Sequence, residues 1–339
     1  MKETFSARRL LFPLTPLYRL ALAFRDLQLR SGLEPVRRLR FPVVSIGNLS
    51  TGGAGKTPLT VALAKALTRR GLRVDVLSRG YGRQSKLALR VNLDGTAEEF
   101  GDEPLLIARE AGLPVYVAPQ RYTAGLLAEA DALQASSENR PPIVHLLDDG
   151  FQHRQLHRDV DILLLNRRDW HDFLLPAGNL REPLRAVRRA SAIAIPADEP
   201  ELEAELRAWG WQGLVLRLRR TMKIPAVNGP VAAFCGIARP EQFFAGLEAA
   251  GLKIALRQAF PDHHRYTAPD LERLAAAARH AGATALITTE KDLVRLKALA
   301  STLPKSMPLS AVRLRIEIEN QAAAIDWLVE LIRPAATQP

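Results

Sequence analysis

The chain has 339 residues, 47% of them hydrophobic, which is enough for a sizeable core and excludes general disorder. Lys and Arg number 47 against 36 Asp and Glu, a net charge of +11 that calls for an anionic partner: nucleic acid, acidic lipid or a phosphorylated molecule. The lone cysteine, Cys235, excludes an internal disulfide and a cysteine-based zinc site, and with 6% aromatics and no basic stretch interleaved with them no nucleic-acid partner is expected.

In chain order the N-terminus comes first. Residues 10–24 read LLFPLTPLYRLALAF, edged by Arg8, Arg9, Arg25 and Arg30. Pro13, Pro16 and Arg19 interrupt the run, which falls short of the roughly 18–20 clean apolar residues of a spanning helix. No small-residue cleavage site follows soon after it, so a secretory signal is not expected. An apolar face edged with arginines fits a helix lying in a membrane interface among anionic headgroups. A helix packing that stripe on the protein's own core fits the same pattern.

Apolar runs at Phe41–Ile46, Leu72–Leu77, Leu113–Val117, Ile143–Leu147 and Asp161–Leu165 predict strands, with helices over Thr57–Arg69 and Glu103–Ala111. Short apolar strands alternating with helices predict a mostly parallel sheet covered on both faces. Near residue 220 the texture changes: Leu214–Arg219 and Val312–Glu317 alternate apolar with charged, the period of half-exposed strands. They bracket a segment with its own strands (Val231–Phe234, Ala285–Thr289) and helices (Pro240–Ala250, Ala268–His280). The expected division is an N-terminal membrane-interface helix (1–35), a nucleotide-binding α/β core (36–220), a smaller α/β lobe (221–319), and a C-terminal helix and tail (320–339).

The chemistry starts after the first strand. Residues 50–58 read Ser50-Thr51-Gly52-Gly53-Ala54-Gly55-Lys56-Thr57-Pro58. Glycines let main-chain N–H groups turn inward toward phosphate oxygens, and the helix that follows presents its positive end. Lys56 supplies a full charge to the terminal phosphates, and the Thr57 hydroxyl suits Mg²⁺. Ser50 stands where the usual P-loop pattern has its first glycine. The motif indicates a P-loop nucleotide-binding core and names no reaction. About 90 residues on, the strand Ile143–Leu147 ends in Asp148-Asp149-Gly150, which places carboxylates where a P-loop core holds its metal. His145, inside that strand, reads as a core or second-layer residue.

The stretch continues Phe151-Gln152-His153-Arg154, and with it the chain resembles the tetraacyldisaccharide 4'-kinases, the lipid A 4'-kinases of Gram-negative bacteria. The matching segments are Gly47–Pro58, Leu77–Arg83, Gly101-Asp-Glu-Pro104, Asp148–Arg154, Pro176–Pro183, Phe234–Ile237, Phe260–His263 and Thr289–Asp292, in the family's order over most of the chain. The resemblance implies transfer of the γ-phosphoryl group of ATP, with Mg²⁺, to the 4'-hydroxyl of a tetraacylated disaccharide 1-phosphate at the cytoplasmic face of the inner membrane. No protein partner is implied. Asp102 is then the expected base, paired with His263 from the second lobe, although Asp102 also suits a helix cap. His263 is preferred to His264 because it matches the family's Asp-His pair; an Asp-His-His metal site is the competing reading.

Metal ligation is expected from Thr57, Asp148 and Asp149. Among the loop arginines, Arg79 and Arg181 are favoured over Arg83 and Arg154 for a substrate phosphate, because a guanidinium fork matches phosphate oxygens. Thr289–Asp292 suits either nucleotide contact or a helix cap, and Asn48 either the site or its own turn. The rival readings are a membrane-associated P-loop ATPase switch without transferase activity and a kinase for a soluble sugar. Partner-switching ATPases of the P-loop class carry a lysine where this chain has Thr51, and a soluble-sugar kinase has no use for an apolar, arginine-edged N-terminus.

Overall fold

The computed structural model describes residues 7–53, 55–134, 141–296, 299–304 and 306–333. Ala54, expected in the phosphate loop, lies outside the described residues, as do the ends of the expected N-terminal and C-terminal segments.

A 3₁₀ turn over Ala7–Leu14 leads into α1 (Thr15–Arg30), the two prolines of the run falling in the turn and at the helix start where they cost least. The core follows as β1 (Val43–Asn48), α2 (Lys56–Arg69), β2 (Arg73–Ser78), β3 (Leu89–Arg90), α3 (Ala97–Phe100), α4 (Asp102–Ala111), β4 (Val115–Val117), α5 (Arg121–Gln134), β5 (Ile143–Asp148) and β6 (Val160–Leu164). Then come α6 (Arg167–Trp170), β7 (Ala192–Pro196), α7 (Pro200–Ala208) and β8 (Leu214–Lys223). The smaller lobe carries β9 (Val231–Cys235), α8 (Pro240–Ala249), β10 (Ile254–Ala259), α9 (Ala268–His280), β11 (Ala285–Thr289) and α10 (Glu290–Leu296), and the chain ends in β12 (Leu309–Ile318) and α11 (Gln321–Ile332).

The twelve strands among the described residues form one sheet, ordered β10-β9-β11-β12-β8-β7-β6-β1-β5-β2-β4-β3. Its central strands pair in parallel and are buried along their whole length, as β1 and β5 are, which is why they read as continuous apolar runs rather than alternations. β12 joins the two halves: Leu309–Val312 runs parallel to β11, and Arg313–Ile318 runs antiparallel to β8. The alternating strands foreseen from sequence are therefore the seam of one sheet. α11 packs Ile325, Leu328 and Ile332 into the core cluster that also holds Leu59, Leu63 and Leu67 of α2.

α1 divides its apolar residues between two faces, the inner one packed on the protein's own core. Thr15 is buried, and Tyr18 and Leu22 pack on the cluster around Leu49, Phe151 and Trp170. The opposite face carries Leu17, Leu20, Phe24 and Leu27, each between 61% and 68% exposed. No helix among the described residues is long and apolar enough to cross a membrane.

Candidate functional site: the phosphate loop and the cleft above it

β1 delivers the chain to the phosphate loop, and Gly55, with φ +91°, turns it into α2 as the helix cap. Glycine suits the left-handed backbone there, and an added Cβ would also displace the Arg220 guanidinium, whose Nη2 lies 2.5 Å away. Lys56 opens the helix and donates from Nζ to Asn48 Oδ1 at 2.9 Å, with Asp149 Oδ1 at 3.5 Å. The lysine is thus pre-positioned beside the strand end.

The front of the loop is fastened down. Ser50 is fully buried, accepts a hydrogen bond from Asn48 Nδ2 at 3.0 Å and donates to Asp169 Oδ2 at 2.8 Å. Thr51 N–H donates to Asn179 O at 2.8 Å. The described residues of the loop left to wrap an anion are therefore Gly52, Gly53 and Gly55 to Thr57, with Pro58 in the first turn of α2. Ala238 and Arg239 of the smaller lobe lie over Gly52 and Gly53. Arg220 and Arg239 thus both approach the loop, and both line a cavity of about 120 Å³ at the carboxyl ends of β6, β7 and β8.

The two aspartates at the end of β5 differ. Asp148 is 2% exposed, with Thr60 Oγ1 donating to its Oδ1 at 3.3 Å. Burial, reinforced by the charges on Glu103 and Asp149, pushes its carboxyl up to about 7 against the opposing pull of Lys56. Asp149, in the left-handed region at φ +49°, takes a two-pronged pair from Arg181, with Nη2 to Oδ1 at 3.0 Å and Nη1 to Oδ2 at 3.3 Å. Burial alone would raise it, but Lys56, Arg181 and Arg121 hold it well below the usual carboxylate range. Arg181 also reaches Asn48 Oδ1 at 2.7 Å, so this expected substrate arginine forms part of the loop's frame.

Asp102 and His263 meet across the cleft between the core and the smaller lobe. Asp102 is 5% exposed, and its Oδ2 lies 3.1 Å from His263 Nδ1. Its Oδ1 accepts from Glu103 N–H at 2.9 Å, but Asp102 is the first residue of α4 and Gly101 stands at the cap position with no side-chain cap bond, so the helix-cap reading of Asp102 does not hold. Arg295 clamps Oδ2 with Nε and Nη2, and Lys291 joins Glu103 Oε1 at 2.9 Å. Burial would raise Asp102, yet the His263 hydrogen bond and the charges of Lys291 and Arg295 keep it well below the usual carboxylate range. Tyr81 stands edge-on to the His263 ring at 5.1 Å. His264 instead stacks on Phe260 and bonds Asp270, apart from this pair. His145 is wholly buried between Asp75 and Glu129, a core histidine.

Arg79 is exposed at the end of β2, near Arg121 and His153, both of which feel its charge. Arg121, 7% exposed, reaches Asp149 O at 3.4 Å. Sequence reasoning passed over Arg121, Arg220, Arg239, Lys291 and Arg295. Lys291 stands inside a segment already singled out, and Arg121 opens a helix directly after a buried strand; nothing local marks the other three. Thr289 and Asp292 cap α10 through mutual hydrogen bonds, and Asp292 accepts from Gly236 N–H, Tyr266 and Arg295, so the helix-cap reading describes these two.

A family model described as tetraacyldisaccharide-1-P 4'-kinase matches residues 7–333. The chain belongs to this family. A relative from Koribacter versatilis (strain Ellin345), named tetraacyldisaccharide 4'-kinase, is 42% identical over 330 residues, covering 94% of this chain and 98% of the relative. One of the same name from Geobacter metallireducens is 40% identical, covering 84% and 88%. The crystal structure of LpxK from Aquifex aeolicus in complex with ATP shares the fold with a TM-score of 0.73 at 33% identity, covering 96% of this chain and 99% of that one. Membership establishes the P-loop α/β fold with its mostly parallel sheet, and makes this 4'-kinase the first function to test on the cleft.

Proposed function

We propose that this chain transfers the γ-phosphoryl group of ATP to the 4'-hydroxyl of a tetraacylated disaccharide 1-phosphate, making a lipid A precursor at an anionic membrane surface. The observation that carries the reading is the convergence of Lys56 and the glycine loop with the Asp102–His263 pair across one cleft. Glu103, next to Asp102, is close enough to act on Asp148, which links the two halves of the site.

Gly52, Gly53 and Gly55–Thr57 would hold the triphosphate, with Lys56, Arg220 and Arg239 supplying positive charge, and the cavity at the carboxyl ends of β6 and β7 would take the nucleoside. Thr57 and Asp148 would hold Mg²⁺: a buried carboxyl that makes no ion pair among the described residues suits a cation, whereas Asp149 is already paired with Arg181 and Lys56. When bound, the ion neutralises the charge on the transferring phosphates. Asp102 takes the hydroxyl proton, with His263 orienting the carboxylate and sharing that proton. Phosphoryl transfer has a loose transition state in which the nucleophile needs little deprotonation beforehand, so a carboxylate held this low is still serviceable. The exposed stripe of α1 sets the molecule on the bilayer where the acceptor resides.

The test is incorporation of labelled γ-phosphate into an acylated disaccharide 1-phosphate. Lys56→Ala is expected to lower the rate by about 10²–10³. Asp102→Ala should lower kcat far more than it weakens ATP binding. Steady ATP hydrolysis with no label on the lipid would overturn the kinase reading in favour of an ATPase.

A further inference from the structure

Asp169 is 1% exposed and takes no part in the chemistry described above. It sits in the short helix α6, whose next residue, Trp170, packs in the cluster with Leu49 and Phe151, so α6 shares the core that carries the phosphate loop. A buried carboxylate needs donors around it, and here they come from the helix's own cap, from the loop and from the smaller lobe. Asn166 caps α6, accepting from Asp169 N–H at 2.8 Å, and its amide donates back to Oδ2 at 3.1 Å. Ser50, at the front of the phosphate loop, donates to the same oxygen at 2.8 Å. Arg239, from the smaller lobe, has Nη2 at 3.5 Å from the other oxygen, Oδ1.

The contacts continue on either side of Asp169. Toward the core, Ser50 Oγ accepts from Asn48 Nδ2 at 3.0 Å, and Asn48 Oδ1 accepts from Lys56 Nζ at 2.9 Å. Toward the smaller lobe, Arg239 stands just before α8, in the turn that follows β9. That turn lies on the loop: a Cβ built on Gly52 would come within 3.1 Å of Ala238 Cβ, and one on Gly53 within 3.7 Å of Arg239 Cγ. Two glycines side by side leave room for this approach. One series of polar contacts therefore runs Lys56–Asn48–Ser50–Asp169–Arg239, from the loop lysine to a cation of the other lobe. Ser50 is the residue that departs from the usual P-loop glycine, and its hydroxyl is the link that carries the series through the loop.

We propose that Asp169 is a positioning residue for the nucleotide: its carboxylate holds the Arg239 guanidinium in a fixed place over the phosphate loop, and its bond to Ser50 sets that place relative to the loop. The inference rests on the nucleotide site proposed above. A guanidinium carries five N–H donors and Asp169 engages one nitrogen, so the fork can turn its other donors toward phosphate oxygens. Arginine has much rotamer freedom to lose, and a side chain already held gives up less of it when the anion arrives. Arg220 and Arg239 also feel each other's charge, and a carboxylate against Arg239 makes it easier to keep two cations beside one loop before the triphosphate binds.

The test is the affinity of the full chain for a non-hydrolysable ATP analogue with Mg²⁺, measured by calorimetric titration. Asp169→Asn keeps the shape of the side chain, removes its charge and turns an amide nitrogen on a donor. Asp169→Asn and Arg239→Ala are each expected to weaken binding about ten-fold, and the double variant should match Arg239→Ala alone to within about two-fold. In a second cycle, Ser50→Ala and Arg239→Ala, which are joined through Asp169, should together cost less than the product of their separate losses, by about three-fold or more. With the acylated acceptor, Asp169→Asn should raise KM for ATP in step with the dissociation constant and leave KM for the acceptor within about two-fold. Losses that multiply in either cycle overturn the proposal, as does wild-type affinity in Asp169→Asn. An equal rise in the acceptor KM marks a general lesion and overturns it too. Should Asp169→Asn fail to fold, the cycle of Ser50 and Arg239 decides by itself. Failure of the wild type to phosphorylate the acceptor would instead remove the kinase reading, while the titrations would still decide the role of Asp169.

Discussion

Asp148 and Asp149 are adjacent in the chain and opposite in charge behaviour. Asp148 sits behind the strand end with Thr60, and its raised carboxyl, about 7, means that a proton competes for it near neutrality. If Asp148 holds the metal, Mn²⁺ affinity in the presence of a non-hydrolysable ATP analogue should rise up to about ten-fold from pH 6 to 7 and level off above pH 8. Affinity that is flat over that range would remove Asp148 from the ligand set. The same raised pKa means the folded chain retains a proton that the unfolded chain releases. Its contribution to stability is full below the unfolded value of about 3.9 and is lost as pH rises through 7.

Arg295 is the other decisive residue, with its side chain 6% exposed and joined to both Asp102 and Asp292. Arg295→Ala would strand two buried carboxylates and should cost about 3–5 kcal/mol, read as a lower urea midpoint. With that cation gone Asp102 rises, so the acid limb of the pH–rate profile should move to higher pH, and Arg295→Lys should restore part of both. An unmoved acid limb would mean that Asp102 is not the group titrating in turnover.

At the scale of elements, α1 is the one with an unsolved side. Its inner face is occupied by Tyr18 bonding Arg181 O at 2.9 Å and by Leu22, and its outer face is an apolar stripe in water. Leu17→Ser/Leu20→Ser/Phe24→Ser/Leu27→Ser removes little packing, so melting should fall only slightly while binding to anionic vesicles falls steeply. Turnover of a short-chain, soluble acceptor should be spared. Vesicle binding that survives all four changes would place the membrane contact elsewhere. The helices and parallel strands that the sequence reading named held to within a residue or two, as at α2 and β5, because glycine and proline punctuate them and buried parallel strands are apolar throughout, whereas α5, β7, α7 and β10 were not foreseen and β8 runs four residues further than expected. It had less grip on β12, whose pattern of alternation was clear but whose two different neighbours were not.

Over the whole molecule, β8 and β12 carry the smaller lobe as an insertion. Lys223 faces Arg313 in an antiparallel pair, so a two-residue turn can close the strands directly. A chain with residues 224–312 replaced by Asn-Gly is expected to unfold cooperatively and bind Mg-ATP, since Lys56, Asp148 and the glycine loop remain. It should show no phosphoryl transfer, having lost His263, Lys291 and Arg295. Measurable transfer by this shortened chain would overturn the role given to the cleft.

The sequence by itself determined the parts whose chemistry is local: the glycine loop that ends in Lys56, the strand that ends in two aspartates, the apolar run with its arginines. Each is written in consecutive residues because a turn or a helix cap is made by neighbours. The resemblance added the pairing of Asp102 with His263. Only the tertiary structure decided which cations surround that pair, which aspartate at the end of β5 is ion-paired and which is buried deeper, and that Asp169 joins the loop to the smaller lobe. Those are matters of burial and of distance between remote segments, and long-range packing has no signature in the spacing of residues along a chain.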